Sequence, residues 1–196
     1  MNTKQFLIPI LAGMCCLPFG VQAESSSDNS SPYSAAARLN LRVTIPQFLL
    51  FQVGSAGTGT IDTITFAPAA GNVGDSSAVS GTGGNAASGS GASVLVRGNG
   101  GQITITESNN GGGSGFSDGG TQNISLGEIT VDDTANASLP TPTLSDTGGN
   151  TSTPALNGGA SQVTNQTSTW VYSYDNTTTP EAGTYDVQIT YTASMP

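Results

Sequence analysis

The stretch GTYDVQITYTASMP, residues 183–196, alternates without interruption. Tyr185, Val187, Ile189, Tyr191, Ala193 and Met195 share one parity, and Asp186, Gln188, Thr190, Thr192 and Ser194 share the other. Side chains on an extended strand point to opposite faces in turn, so the pattern predicts a half-buried strand over 184–193, entered at Gly183. The same period governs ARLNLRVTI, 37–45, with Leu39, Leu41, Val43 and Ile45 on one face and Arg38, Asn40, Arg42 and Thr44 on the other. Pro46 cannot donate to a ladder and ends that strand. QFLLFQV, 47–53, follows as a more continuously apolar strand closed by Gly54. Runs rich in β-branched and aromatic residues at 60–66, 92–97, 102–108, 123–131 and 168–174 predict the other strands. The Gly, Ser, Asn, Asp and Pro clusters between them, at 67–91, 109–120, 132–167 and 175–182, read as turns and loops. No stretch beyond residue 23 has a helical period. Roughly eight strands in this length predict an all-β sandwich.

The first 23 residues hold one lysine, Lys4, an apolar run from Phe6 to Phe19 and the small-residue ending Val21-Gln22-Ala23. That is the pattern of a cleaved secretory signal. Gly13-Met14 before Cys15 fits lipidation poorly. Cleavage leaves residues 24–196, enough for one domain with a real core. The polar run ESSSDNSSPYS, 24–34, is expected to be a disordered tail. Both cysteines leave with the signal, so no disulfide braces the exported chain. It keeps Arg38, Arg42 and Arg97 against all 13 acidic residues. Nucleic acid needs clustered cations to displace phosphate counterions, and an anionic membrane repels the same charge; neither is expected as a partner.

Catalytic chemistry finds little footing. The chain has no histidine, and its cysteines and lysine sit in the signal. Ser–His, Cys–His and Ser–Lys pairs cannot be assembled, nor zinc sites of histidine and cysteine. The adjacent carboxylates Asp132-Asp133 would point to opposite faces of a strand and are expected in a solvated loop. FSDGG, 116–120, and VDDTAN, 131–136, lack the density of a calcium loop. The chain is therefore read as no enzyme, with no cofactor and no metal. Sequons at Asn29, Asn123, Asn136, Asn150, Asn165 and Asn176 arise easily in so Asn- and Thr-rich a chain. Trp170, the only tryptophan, alternates with Tyr172 and Tyr174. It is expected to fill the core between two sheets rather than to form a platform for a sugar ring.

A regular strand such as 184–193 is an aggregation liability when its edge stays bare, and β-strand addition by another chain is one answer to it. Here the two alternating segments resemble chaperone–usher pilus subunits. In that family the last strand begins at a glycine fourteen residues from the end and carries an apolar or aromatic penultimate residue; Gly183 and Met195 hold those places. The family's N-terminal extension also alternates, as 37–45 does. The polar tail, the missing cysteine pair and Met195 in place of tyrosine depart from the pattern. The resemblance implies an immunoglobulin-like β-sandwich, incomplete and completed by a donor strand. It implies a signal peptide at 1–23, a tail at 24–34, a donor strand at 35–46 and a sandwich at 47–196. Leu39, Leu41, Val43 and Ile45 would donate. Gly183, Tyr185, Val187, Ile189, Tyr191 and Met195 would form the accepting groove and the contact for a periplasmic chaperone. An outer-membrane usher and other fibre subunits, including further copies of the chain, would be the remaining partners. The chain would pass through the periplasm to a surface or extracellular fibre serving adhesion or biofilm. The alternative is a secreted monomeric sandwich that binds carbohydrate or matrix.

Overall fold

A computed structural model describes residues 24–57, 59–158 and 162–196. The expected signal peptide, 1–23, lies outside the described residues. The chain divides between Ile45 and Pro46 into an N-terminal unit and a body.

In the N-terminal unit every residue from 24 to 45 is exposed and none joins a ladder. Arg38 donates to both carboxylate oxygens of Glu24, at 2.7 and 2.6 Å. The strand expected at 37–45 is an unpaired arm, for a strand requires a hydrogen-bonded neighbour and among the described residues this segment joins no ladder. Leu39, Leu41, Val43 and Ile45 remain 75–86% exposed.

The body is all β, with two facing sheets. Four strands carry the larger one: β1 (Leu49–Val53), β5 (Ser90–Gly98), β9 (Ile129–Asp132) and β11 (Thr164–Tyr174). β1 lies antiparallel to β5 with Val53 opposite Val94, β5 antiparallel to β11 with Ala92 opposite Trp170, and β11 antiparallel to β9 with Val131 opposite Tyr172. Short strands β2 (Ile64–Thr65), β3 (Val79–Ser80) and β4 (Thr82–Gly84) extend its margins. The opposing sheet runs β10 (Thr151–Ser152), β6 (Thr104–Asn109), β12 (Ile189–Ser194), all antiparallel. A two-stranded ribbon, β7 (Phe116–Ser117) with β8 (Asn123–Ile124), sits apart.

Period-two alternation builds the core. β5 turns Ala92, Val94 and Val96 inward, and β11 turns Trp170, Tyr172 and Tyr174 inward. Ile105 of β6 and the inward row of β12 face them across the sandwich. Trp170 is fully buried, its ring centroid lies 5.1 Å from that of Tyr191 in an edge-on arrangement, and its Nε1 donates to the Leu139 carbonyl at 3.1 Å. It is a core residue and offers no platform to a sugar. A Cβ on Gly91 would collide with the Trp170 carbonyl, so glycine lets β5 and β11 close at that point.

Several expected elements change shape. The run 123–131 breaks into β8, a 3-10 turn at Leu126–Glu128 and β9. Ser125 caps that turn by accepting from Gly127 N, and Asp146 accepts from Leu126 N at 2.6 Å, seating Leu126 in the core. The expected strand 60–66 shrinks to two residues. β3, β4, β7 and β10 lie within stretches read as loops. Asp132 and Asp133 serve turns: Asp132 accepts from Thr134 N, which holds its carboxyl below the usual range, and Asp133 accepts from Thr141 N. Asn176, one of the sequon asparagines, is fully buried and ties the 72–77 loop through Gly74 N and the Asn72 and Ser77 carbonyls.

Replacing Trp170 by alanine should lower stability by about 3–5 kcal/mol, the usual cost of emptying a buried aromatic site. Urea titration followed by circular dichroism measures it. In the parent protein the lone tryptophan should emit at short wavelength and shift to the red on unfolding.

Candidate functional site: an apolar groove between two open strand edges

β12 pairs with β6 along one edge only, and β1 pairs with β5 along one edge only. Among the described residues no strand pairs with the other edge of either. Between these edges lies a cleft of about 650 Å³. One wall is Tyr185, Val187, Ile189 and Tyr191; the other includes Phe51, Val53 and Ile64, and Leu126 and Tyr172 belong to the lining as well.

β12 forms its wall because of its alternation. Tyr185, Val187, Ile189, Tyr191, Ala193 and Met195 are all half-buried, and every intervening residue is exposed. A strand pressed fully between sheets would bury that row outright, as β5 buries Ala92, Val94 and Val96. The row on β12 stays half-covered since the cleft lies beside it. At Asp186 the chain exchanges two backbone hydrogen bonds with Ser117, at 3.0 and 3.1 Å, which ties the segment before β12 to β7.

The accepting residues expected from the sequence fall into three places. Tyr185, Val187, Ile189 and Tyr191 line the cleft. Gly183 is exposed in a bend ahead of β12 and is not among the lining residues; a Cβ there meets only ordinary contact with Tyr185. Met195 lies beyond β12, where its Sδ accepts from Gly100 N at 3.2 Å and packs under the turn after β5. The β1 wall was missed by sequence reasoning. FLLFQV is apolar on both parities, so Phe51 and Val53 could not be picked out as the inward set. Phe48, Leu49 and Leu50 stay 49%, 37% and 46% exposed.

The floor of the cleft is rigid and uncharged. Tyr172 Oη and Tyr191 Oη share a hydrogen bond at 3.2 Å. Burial pushes the Tyr172 phenol up to about 12, and burial, reinforced by Tyr172, holds Tyr191 well above its ordinary range. Among the described residues no group of three or more Asp, Glu, His or Cys converges on a metal position.

The root of the arm is clamped. Asn99, just after β5, accepts from Phe48 N through Oδ1 at 2.9 Å and donates from Nδ2 to the Pro46 carbonyl at 2.9 Å. One side-chain amide thus satisfies the Phe48 N–H and the Pro46 carbonyl at the head of the β1–β5 ladder.

Neither family models, nor curated protein sequences, nor solved structures yield a match to this chain.

Two outcomes are expected. Asn99→Ala should cost about 1–2 kcal/mol and speed amide exchange at Phe48 while leaving the β12 amides unchanged, as measured by hydrogen exchange. The second concerns pH. Unfolded phenols ionise near 10, whereas the buried pair stays neutral, so its stabilisation is complete below pH 10 and is lost as pH rises through 10 towards 12. The unfolding free energy from urea titration should therefore fall above pH 10, by about 2–3 kcal/mol on account of Tyr172 alone. Tyr172→Phe should flatten that fall.

Proposed function

We propose that this chain is a structural subunit of a surface fibre, in which the arm 37–45 of one copy fills the cleft between β1 and β12 of the next. The arm is then a donor strand and the body an immunoglobulin-like sandwich short of one strand. The reaction is assembly without covalent chemistry. Main-chain bonds along the β12 edge bring affinity, and the alternate side chains Leu39, Leu41, Val43 and Ile45 enter the apolar lining.

One observation carries the proposal: the order in which the strands pair. Taken along the chain, β1, β5, β6, β9, β11 and β12 stand where an immunoglobulin sandwich has its first six strands. β1-β5-β11-β9 corresponds to its ABED sheet, and β6-β12 to the C and F strands of the other. The seventh strand of such a sandwich lies beside F. That is the open edge of β12, and the apolar cleft runs along it. The chain also carries a segment with the right alternation that, among the described residues, pairs with no strand. Its four apolar side chains stand 75–86% exposed, and burial is worth roughly 1.5–3 kcal/mol for each. A periplasmic chaperone would hold the cleft closed by the same strand addition before export through an outer-membrane usher. The resemblance of the two alternating segments to chaperone–usher subunits supports those partners and a part in adhesion or biofilm.

Light scattering on the exported protein tests this. The parent should form multimers that survive heating in detergent. Leu41→Asp with Val43→Asp, which alter only exposed side chains, should give a folded monomer, since a charge entering an apolar groove costs several kcal/mol. Multimers unchanged by both substitutions, or a stable monomer from the parent chain, would overturn the proposal.

A further inference from the structure

Charge is unevenly distributed along the chain. Of the 13 acidic residues, eleven lie in 46–196, where Arg97 is the only cation. Segment 35–45 has two arginines, Arg38 and Arg42, and no acid. Both arginines have the parity opposite to Leu39, Leu41, Val43 and Ile45, so a strand that buries the apolar row turns both guanidiniums to the outside. Arg38 is engaged by Glu24, but the pair is exposed, and pairs of that kind are weak and readily exchanged.

The cleft has the opposite sign. Asp62 and Asp186 belong to its lining. Burial, then the charges of Asp118 and Glu181, keep the Tyr185 phenol above its ordinary range, which places two more carboxylates within electrostatic reach of the wall. Arg97 does not offset them at that wall; it lies on β5, and its Nε donates to Asn165 Oδ1 at 2.9 Å. Asp62 is held by Ser55, which donates to it from both N and Oγ, at 2.6 and 2.9 Å, so one of the acids is fixed in place.

We propose that the chain chooses a second copy of itself as strand donor by electrostatic steering, the cationic arm segment being drawn to the anionic mouth of the groove before the apolar row docks. The inference rests on the groove-filling role proposed above and adds the means of selection. Steering acts over about a Debye length, roughly 8–10 Å at physiological salt, and raises association rates by about 10 to 10³-fold. Release depends on the packed apolar row and the main-chain bonds, which salt scarcely touches. An acidic or neutral strand of equal hydrophobicity would therefore fill the groove more slowly without leaving it sooner.

The test uses the full chain carrying Leu41→Asp and Val43→Asp, the folded monomer expected above with its groove unaltered, and fluorescent synthetic peptides of residues 35–47. The parent peptide should associate about tenfold or more faster at low salt than at high salt. A peptide carrying Arg38→Ser and Arg42→Ser should associate slowly at every salt concentration and dissociate at the parent rate. A peptide carrying Leu41→Ser and Val43→Ser should keep the salt dependence of association and dissociate faster. Equal association rates for the parent and arginine-free peptides at low salt would overturn steering and leave groove filling intact. If no peptide binds, groove filling fails and steering fails with it.

Discussion

The structure depends on the contact of β11 with β12. Trp170 lays its edge against Tyr191, and the Tyr172 hydroxyl meets that of Tyr191. These side chains join the two sheets in a body that contains no cysteine. The aromatic row on β11 is long enough to cross the sandwich and meet a strand whose own row is only half-covered. Aromatic contact of this kind orients as well as attracts, so it holds the angle between the sheets. Trp170, buried in the core, props Tyr191, which with Tyr172 belongs to the lining of the cleft beside β12.

From this prop the rest of the site follows. β12 is held to one sheet by β6 and to the other by Tyr191, which leaves its far edge unpaired. β1 is held by β5 and by the Asn99 clamp, which leaves its far edge unpaired as well. An open edge beside an apolar cleft is unstable in water on two counts, bare main-chain groups and bare apolar surface. The arm has the same two deficits. A single act of pairing would relieve both, and that is the ground on which a structural role is proposed. The acids around the cleft and the arginines on the arm add a long-range preference to that short-range fit.

Much of the fold was legible because period two is a strong signal. The strands at 92–97, 102–108 and 168–174 appear where alternation put them; the one expected at 184–193 forms only over 189–194, though its inward parity is the one read from Tyr185 to Met195. Legibility failed where a segment has no parity to read. FLLFQV is apolar on both faces, so the second wall of the cleft went unseen. Short strands such as β4 and β10 consist of Gly, Ser and Thr, whose local preference is for turns; the neighbouring ladder holds them extended. Glu107 shows the converse. Its parity on β6 matches that of Ile105, and it is fully buried, with Ser145 Oγ and Asn150 Nδ2 reaching only one of its carboxylate oxygens. Alternation had placed it inward, but charge alone would have placed it in water.

The sequence by itself determined the class of fold, the strand faces, the absence of histidine and of any cysteine beyond the first 23 residues, and the separation of a cationic arm from an anionic body. These are properties of residue order and type, and they need no knowledge of which strands meet. Tertiary structure alone decided that β12 and β1 keep open edges facing one cleft and that, among the described residues, 37–45 pairs with no strand. Both depend on which segments meet, as β5 meets β1 and β11, and β6 meets β12, and local alternation carries no information about which strand lies beside which.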